Sequence, residues 1–274
     1  MPKNVSSALQ TGPLSVGDVI NGGIRIYRDH FKSYFGLAFI AYLWLLVPIY
    51  GWAKYSATLG LLSRLAFGEV SEHPETVGDV RSEVNPRMWS FLGAGIVTGL
   101  ILTGVYLAGS IAIGTLALPA FAISGQNYLI TGVLVAVAVI AFFILYLRVV
   151  SQLFIVELPL AIENNVTATS AISRSWELTK GSVSRILLIV FVGGLASLPI
   201  GILVQIVMGI VQVVLGTVLG AESDAFVLAY IIAIIILSFL SGALIAPFWQ
   251  AMKAIVYYDL RSRKEGLGLQ IRDR

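Results

Sequence analysis

Of the 274 residues in this chain, 57% are hydrophobic and 12% are charged. With a mean hydropathy of +0.89 and apolar runs longer than the roughly 20 residues that cross a bilayer, it is an integral, multi-span membrane protein rather than a soluble domain. The net charge of +3 comes without a basic face on a soluble fold, which argues against a nucleic-acid partner, and the absence of cysteine excludes disulfides and thiolate metal sites.

The opening MPKNVSSALQTGPLS is polar and lacks a signal-peptide core, so no cleavage is expected; residues 1–13 are expected to form a disordered tail. Ser15 can cap a helix, with Asp18 completing a capping box. Val16, Val19, Ile20, Ile24, Tyr27, Phe31 and Tyr34 then make one apolar stripe opposite Asp18, Asn21, Arg25, Arg28, Asp29 and Lys32. Such a helix lies in the membrane interface. A first span follows at about 34–50, with Trp44, Tyr50 and Trp52 suited to the far interface. Residues 53–70 carry Lys54, Ser56, Thr58, Ser63 and Arg64, and their hydropathy is poor for a span.

Glu75–Asn85 is a short amphipathic piece stopped by Pro86. No charge lies between Arg87 and Arg148, which allows spans at about 89–118 and 128–147, with Pro119 and Ser124–Asn127 as the turn. The second helix is expected to run on through Phe154 to Pro159. Glu163–Arg185 is then an amphipathic surface helix. Ala168, Ala171, Ile172, Ser175, Trp176, Thr179 and Val183 share one face; Ser173, Arg174, Glu177 and Lys180 share the other. The uncharged run from Ile186 to Ala221 gives a span at about 186–219. It exceeds a ~30 Å core, so tilt or a bend at Gly193, Gly194 or Pro199 is expected. After Glu222 and Asp224 a last span covers about 225–252, kinked at Pro247, and 259–274 form a basic cytoplasmic tail.

The pairing of surface helix and span recurs. Arg25–Phe35 laid against Glu177–Leu187 pairs Ile26 with Leu178, Arg28 with Lys180 and Phe31 with Val183, and 75–89 is a shorter third copy. If the three surface helices share one membrane face, an even number of crossings separates them, and 53–70 must cross. The expectation is an all-α integral membrane helical bundle, a single domain over 14–258. It has six transmembrane helices in three pseudo-repeated units and both termini cytoplasmic. Lys54 is then the one basic residue on the outer side, in accord with the positive-inside rule. Five spans are the alternative and would put the tail or central basic residues outside.

VELPLAIENN…AISRSWELTKG in the centre and YYDLRSRKEG near the C-terminus together resemble the glycerophosphoryl diester phosphodiesterase membrane-domain family of bacteria. LSVGDVINGGIRIYRDHF looks like that family's opening helix. The resemblance, from about Leu14 to Gly266, implies a polytopic, usually six-span, inner-membrane domain, in some members fused to a soluble phosphodiesterase. This chain carries no such catalytic domain, so the resemblance does not imply the enzymatic activity.

Catalytic residues, cofactor and metal are all expected to be absent. There is no cysteine and no clear nucleophile with a base, and His30 and His73 lie apart with no second ligand at i+4. Glu157 is the acid nearest the membrane and is expected to pair with Arg64 or Arg148. Arg64 has Glu69 as a second option, or snorkels to the inner interface. Arg25, Arg28 and Lys32, then Arg174, Lys180 and Arg185, then Arg261, Arg263 and Lys264 are candidates for anionic headgroups or a partner, each worth about 1 kcal/mol. The competing reading is that they only fix orientation. The spacings Gly95-x-x-x-Gly99 and Gly216-x-x-x-Gly220 arise easily by chance among 27 glycines.

The chain is therefore expected to be a non-enzymatic membrane protein. Its cytoplasmic-face helices would bind anionic lipid, or dock a membrane-associated protein or a second copy. The alternative is a transporter or channel for a small, weakly polar or lipid-like solute, with Pro119, Pro199 and Pro247 permitting broken helices.

Overall fold

A computed structural model describes residues 14–124 and 128–266, and among these there are helices and no strand. The expected tail at 1–13, the turn residues 125–127 and the basic tail beyond 266 lie outside the described residues. The helices are α1 (Val16–Asp29), α2 (Phe31–Trp44), α3 (Tyr50–Val70), α4 (Val77–Val84), α5 (Met88–Ser124), α6 (Tyr128–Gln152), α7 (Glu157–Ile162), α8 (Ala168–Thr179), α9 (Val183–Leu219) and α10 (Asp224–Glu265). Four of them, α5, α6, α9 and α10, provide segments long and apolar enough to cross a membrane.

Neither α2 nor α3 is among those four. The 14 residues of α2 extend only about 21 Å. The α2–α3 turn holds Ile49 at φ 62°, and just before it the Tyr42 ring packs against Gly242 and Phe239 of α10. Those residues lie near the middle of α10, so its N-terminal half runs on past the hairpin tip. The tip itself, with Leu46, Val47, Ile49 and Trp52, is exposed and apolar. Parity alone does not require 53–70 to cross: the three surface helices share one face equally well whether the α2–α3 hairpin crosses twice or not at all.

The least apolar of the six expected spans is the most enclosed of them in the fold. α3 packs against α2, α4, α5, α7 and α10, burying Ala53, Ala57, Gly60, Leu61, Leu62, Leu65 and Ala66. Its polar side chains are matched by partners. Ser63 donates to Gln250 Oε1 at 2.9 Å. Lys54, expected alone on the far side, donates to Asn85 Oδ1 at 3.4 Å, beside the α4–α5 turn.

The buried core is gathered at one end of the molecule: α1, α3, α4, α7 and α8, with the start of α5 and α9 and the end of α6 and α10. The remaining lengths of α5, α6, α9 and α10 present exposed leucine, isoleucine and valine, as lipid-facing helices do. Close helix approach comes at glycines other than the two expected spacings. A side chain at Gly60 would meet the Phe91 ring, and Met252 of α10 fills the space left by Gly23 of α1 and Gly193 of α9. Gly95, Gly99 and Gly220 have no neighbour at that distance.

Two expected boundaries move for local reasons. α6 stops at Gln152 and a turn over 153–156 separates it from α7. Pro159 has no N–H for the Ile155 carbonyl, which accepts instead from Leu158 N at 3.1 Å. The long α9 passes through Pro199 as one helix of 37 residues.

Overpacking predicts that Gly60→Val, which must displace Phe91, costs about 1–3 kcal/mol. Gly99→Val, facing open space, should leave the thermal transition of the detergent-purified protein within a degree or two.

Candidate functional site

The break between α6 and α7 turns Glu157 inward instead of along a helix face. Its Oε1 accepts from Lys253 Nζ of α10 at 2.8 Å and from Ser63 Oγ of α3 at 3.2 Å. Neither expected partner meets it. Arg64 reaches Glu75 and Glu83, and Arg148 is exposed on α6 with no carboxylate partner among the described residues. Sequence reasoning missed Lys253 because it follows the uncharged span by one position and looks like a boundary residue. The i+3 step from Gln250, which shares Ser63 with Glu157, is the signal that both face inward.

Glu157 and Lys253 line a cavity of about 280 Å³ between α3, α5, α7 and α10. Phe91, Phe154, Leu59 and Leu160 supply its apolar wall. The Lys253 ammonium lies 5.7 Å from the Phe154 ring centre. Thr98 Oγ1, also on the wall, is buried with no hydrogen-bond partner among the described residues.

Closer to the charged end, α8 begins with a capping box of Thr167 and Ser170. It buries Ala171, Ser175, Leu178 and Thr179, while Trp176, expected on the buried stripe, is exposed. The face is set by a hydrogen bond: Ser175 Oγ donates at 2.7 Å to the carbonyl of Gln152, the last residue of α6, for which its own helix supplies no N–H donor. Arg87 does the same for α7, donating to the carbonyls of Leu160 and Glu163.

Glu163 is the centre of this layer. It accepts from Tyr257 Oη at 2.6 Å and from Arg174 Nε at 3.1 Å, and Arg261 stands 4.0 Å away. Arg174 and Arg261 also share Glu265. Burial works against the Arg174 charge, yet Glu163 and Glu265 hold its pKa above the ordinary arginine value. The neighbouring stretches VELPLAIENN and AISRSWELTKG and the distant YYDLRSRKEG thus close on one another through ion pairs. Residues 99–267 match the family model described as the membrane domain of glycerophosphoryl diester phosphodiesterase. The chain belongs to this family. No curated protein and no solved structure matches it. The matched region begins within α5 and takes in the rest of the four long helices and the motif layer, and α1–α4 lie outside it.

Within this membrane domain the expected headgroup residues divide. Asp259 is fully buried, accepting from Arg185, from Arg263 at 2.7 Å and from the backbone N–H of Leu14 at 3.2 Å. Lys264 caps the end of α8 by donating to the carbonyls of Glu177 and Lys180. Arg174, Arg185, Arg261, Arg263 and Lys264 are therefore committed to internal partners. Arg25, Lys32 and Lys180 make no side-chain contact with a described carboxylate, and Arg28 meets only its neighbour Asp29, in an exposed pair. Arg64, expected to snorkel, is instead clamped. Both Glu75 oxygens accept from it at 2.7 Å, Glu83 pairs with it, and Ala161 O accepts at 3.1 Å. Glu75 contributes most to raising its pKa above the usual arginine value.

Asp259→Ala leaves Arg185 without its buried counter-charge and should cost about 3–5 kcal/mol, read as a lowered thermal midpoint of the purified protein. Arg64→Lys, unable to form the fork to Glu75, should lower the midpoint less than Arg64→Ala.

Proposed function

We propose that this chain is a non-enzymatic membrane protein of the bacterial inner membrane whose α1 binds anionic phospholipid on the cytoplasmic leaflet. The observation that carries the reading is the concentration of uncommitted basic side chains on α1 and the first turn of α2. Arg25 and Lys32 make no ion pair with described residues, and Arg28 has only an exposed one, which is worth little. Beside them a cavity of about 270 Å³ opens between α1, α9 and α10, walled by Ile24, Phe31, Ile200, Ile245 and Phe248, with Arg28 at its edge. Acyl chain would occupy the groove and phosphate would meet Arg28, each basic residue adding about 1 kcal/mol.

The topology that accompanies this reading has four full crossings, α5, α6, α9 and α10, and an α2–α3 hairpin that enters only the cytoplasmic leaflet; both termini and α8 stay cytoplasmic. The six-span arrangement would instead carry the hairpin tip to the outer surface. Because the chain has no cysteine, single cysteines distinguish the two. In oriented vesicles a thiol at Glu222 should react only from outside and one at Lys180 only from inside. A thiol at Val47 should resist both; outer labelling of Val47 would establish six crossings.

In nanodiscs of defined composition, the intact protein should retain anionic phosphatidylglycerol over phosphatidylcholine. The variant Arg25→Gln/Arg28→Gln/Lys32→Gln should lose most of that preference, on the order of 100-fold at ~1 kcal/mol per charge, with its thermal midpoint unchanged. An unaltered preference would refute the reading.

A further inference from the structure

The cavity around Glu157 and Lys253 is separate from the α1 groove and has different chemistry. Its two charges are opposite and already paired at 2.8 Å, with side chains only 23% and 19% exposed. A ligand with one charge would have to displace one member of that pair and leave the other partly buried and uncompensated, which is strongly unfavourable. A neutral apolar ligand would leave Thr98 Oγ1 unsatisfied. A zwitterion avoids both costs. Its cation joins Glu157, whose Oε2 takes no described hydrogen bond, and its anion joins Lys253, two of whose three N–H donors are unused.

The rim suggests the route. Gly95 of α5 and Ser56 of α3 line the cavity, Gly95 is exposed, and nothing stands within contact distance of a side chain built there. This side faces out between the short hairpin and a long apolar helix. At about 280 Å³ the space is at the small end of ligand pockets: it suits a headgroup whose chains remain outside.

We propose that this cavity binds a zwitterion combining a primary ammonium with a phosphate, the chemistry of a phosphoethanolamine headgroup. The ammonium is held by Glu157, the phosphate by Lys253, and Thr98 donates its hydroxyl to a phosphate oxygen. A trimethylated ammonium could not donate to Glu157, so choline is the discriminating analogue.

The test uses the full-length detergent-purified protein and native mass spectrometry with short-chain phosphatidylethanolamine, phosphatidylcholine and phosphatidylglycerol. Phosphatidylethanolamine should bind at least tenfold more tightly than phosphatidylcholine. Glu157→Gln and Lys253→Gln should each erase that difference. Thr98→Leu, which fills the cavity without touching the ion pair, should abolish binding while keeping the thermal midpoint. Soluble phosphoethanolamine provides the second arm: displacement of the lipid identifies the free headgroup as sufficient, and failure to displace identifies the membrane lipid as the ligand. Equal binding of the ethanolamine and choline lipids, or full retention of the preference in both Glu157→Gln and Lys253→Gln, would overturn the proposal. Neither result depends on the basic residues of α1, whose phosphatidylglycerol preference is measured separately.

Discussion

A charged side chain at the edge of hydrocarbon needs its counter-charge within reach, because an unpaired ion there is expensive and water is scarce. That requirement shapes one end of this molecule. Arg64 joins α3 to α4 and α7, Arg174 joins α8 to Glu163 and α10, Arg185 joins α9 to α10, and Lys253 joins α10 to α7. Each pair spans two elements and so fixes their relative position. The apolar lengths of α5, α6, α9 and α10 have no such ties, and their side chains remain open to lipid.

The same requirement explains why α3 is central. A helix carrying Lys54, Ser63 and Arg64 is unsuitable for contact with acyl chains, but suits a position ringed by helices that each present a matching group. Asn85, Gln250 and Glu157, and Glu75 are those groups. Small residues do the rest: Gly60 admits the Phe91 ring, and Ala53, Ala57 and Ala66 are fully enclosed.

Much of this was legible in the sequence where the determinants are local. The Ser15–Asp18 capping box forms as its spacing predicts, the uncharged runs 88–147, 186–221 and 225–252 supply the four long helices, and the family motifs are recognisable as strings. Tertiary determinants were not legible. Hydropathy scores α3 by its average and cannot show that its polar positions face other helices. Basic residues read as a headgroup surface because their acidic partners lie far away in sequence: Asp259 is 74 positions from Arg185. The i, i+4 spacing of Asp259 and Arg263 was the one local sign that this carboxylate has a basic partner. Trp176 misled by size, since the buried face of α8 follows the hydroxyls of Ser175 and Thr179 to the free end of α6.

The contact between the Leu14 amide and Asp259 bears on how the protein is made. These residues are 245 positions apart, and α1 packs chiefly on α10, with Met252 seated between Gly23 and Gly193. α1 therefore finds its binding surface only after the helices between it and α10 have been synthesised and inserted. Until then its apolar stripe has only the bilayer surface to shelter it, and amphipathicity serves as a waiting state during biogenesis as well as a feature of the finished fold.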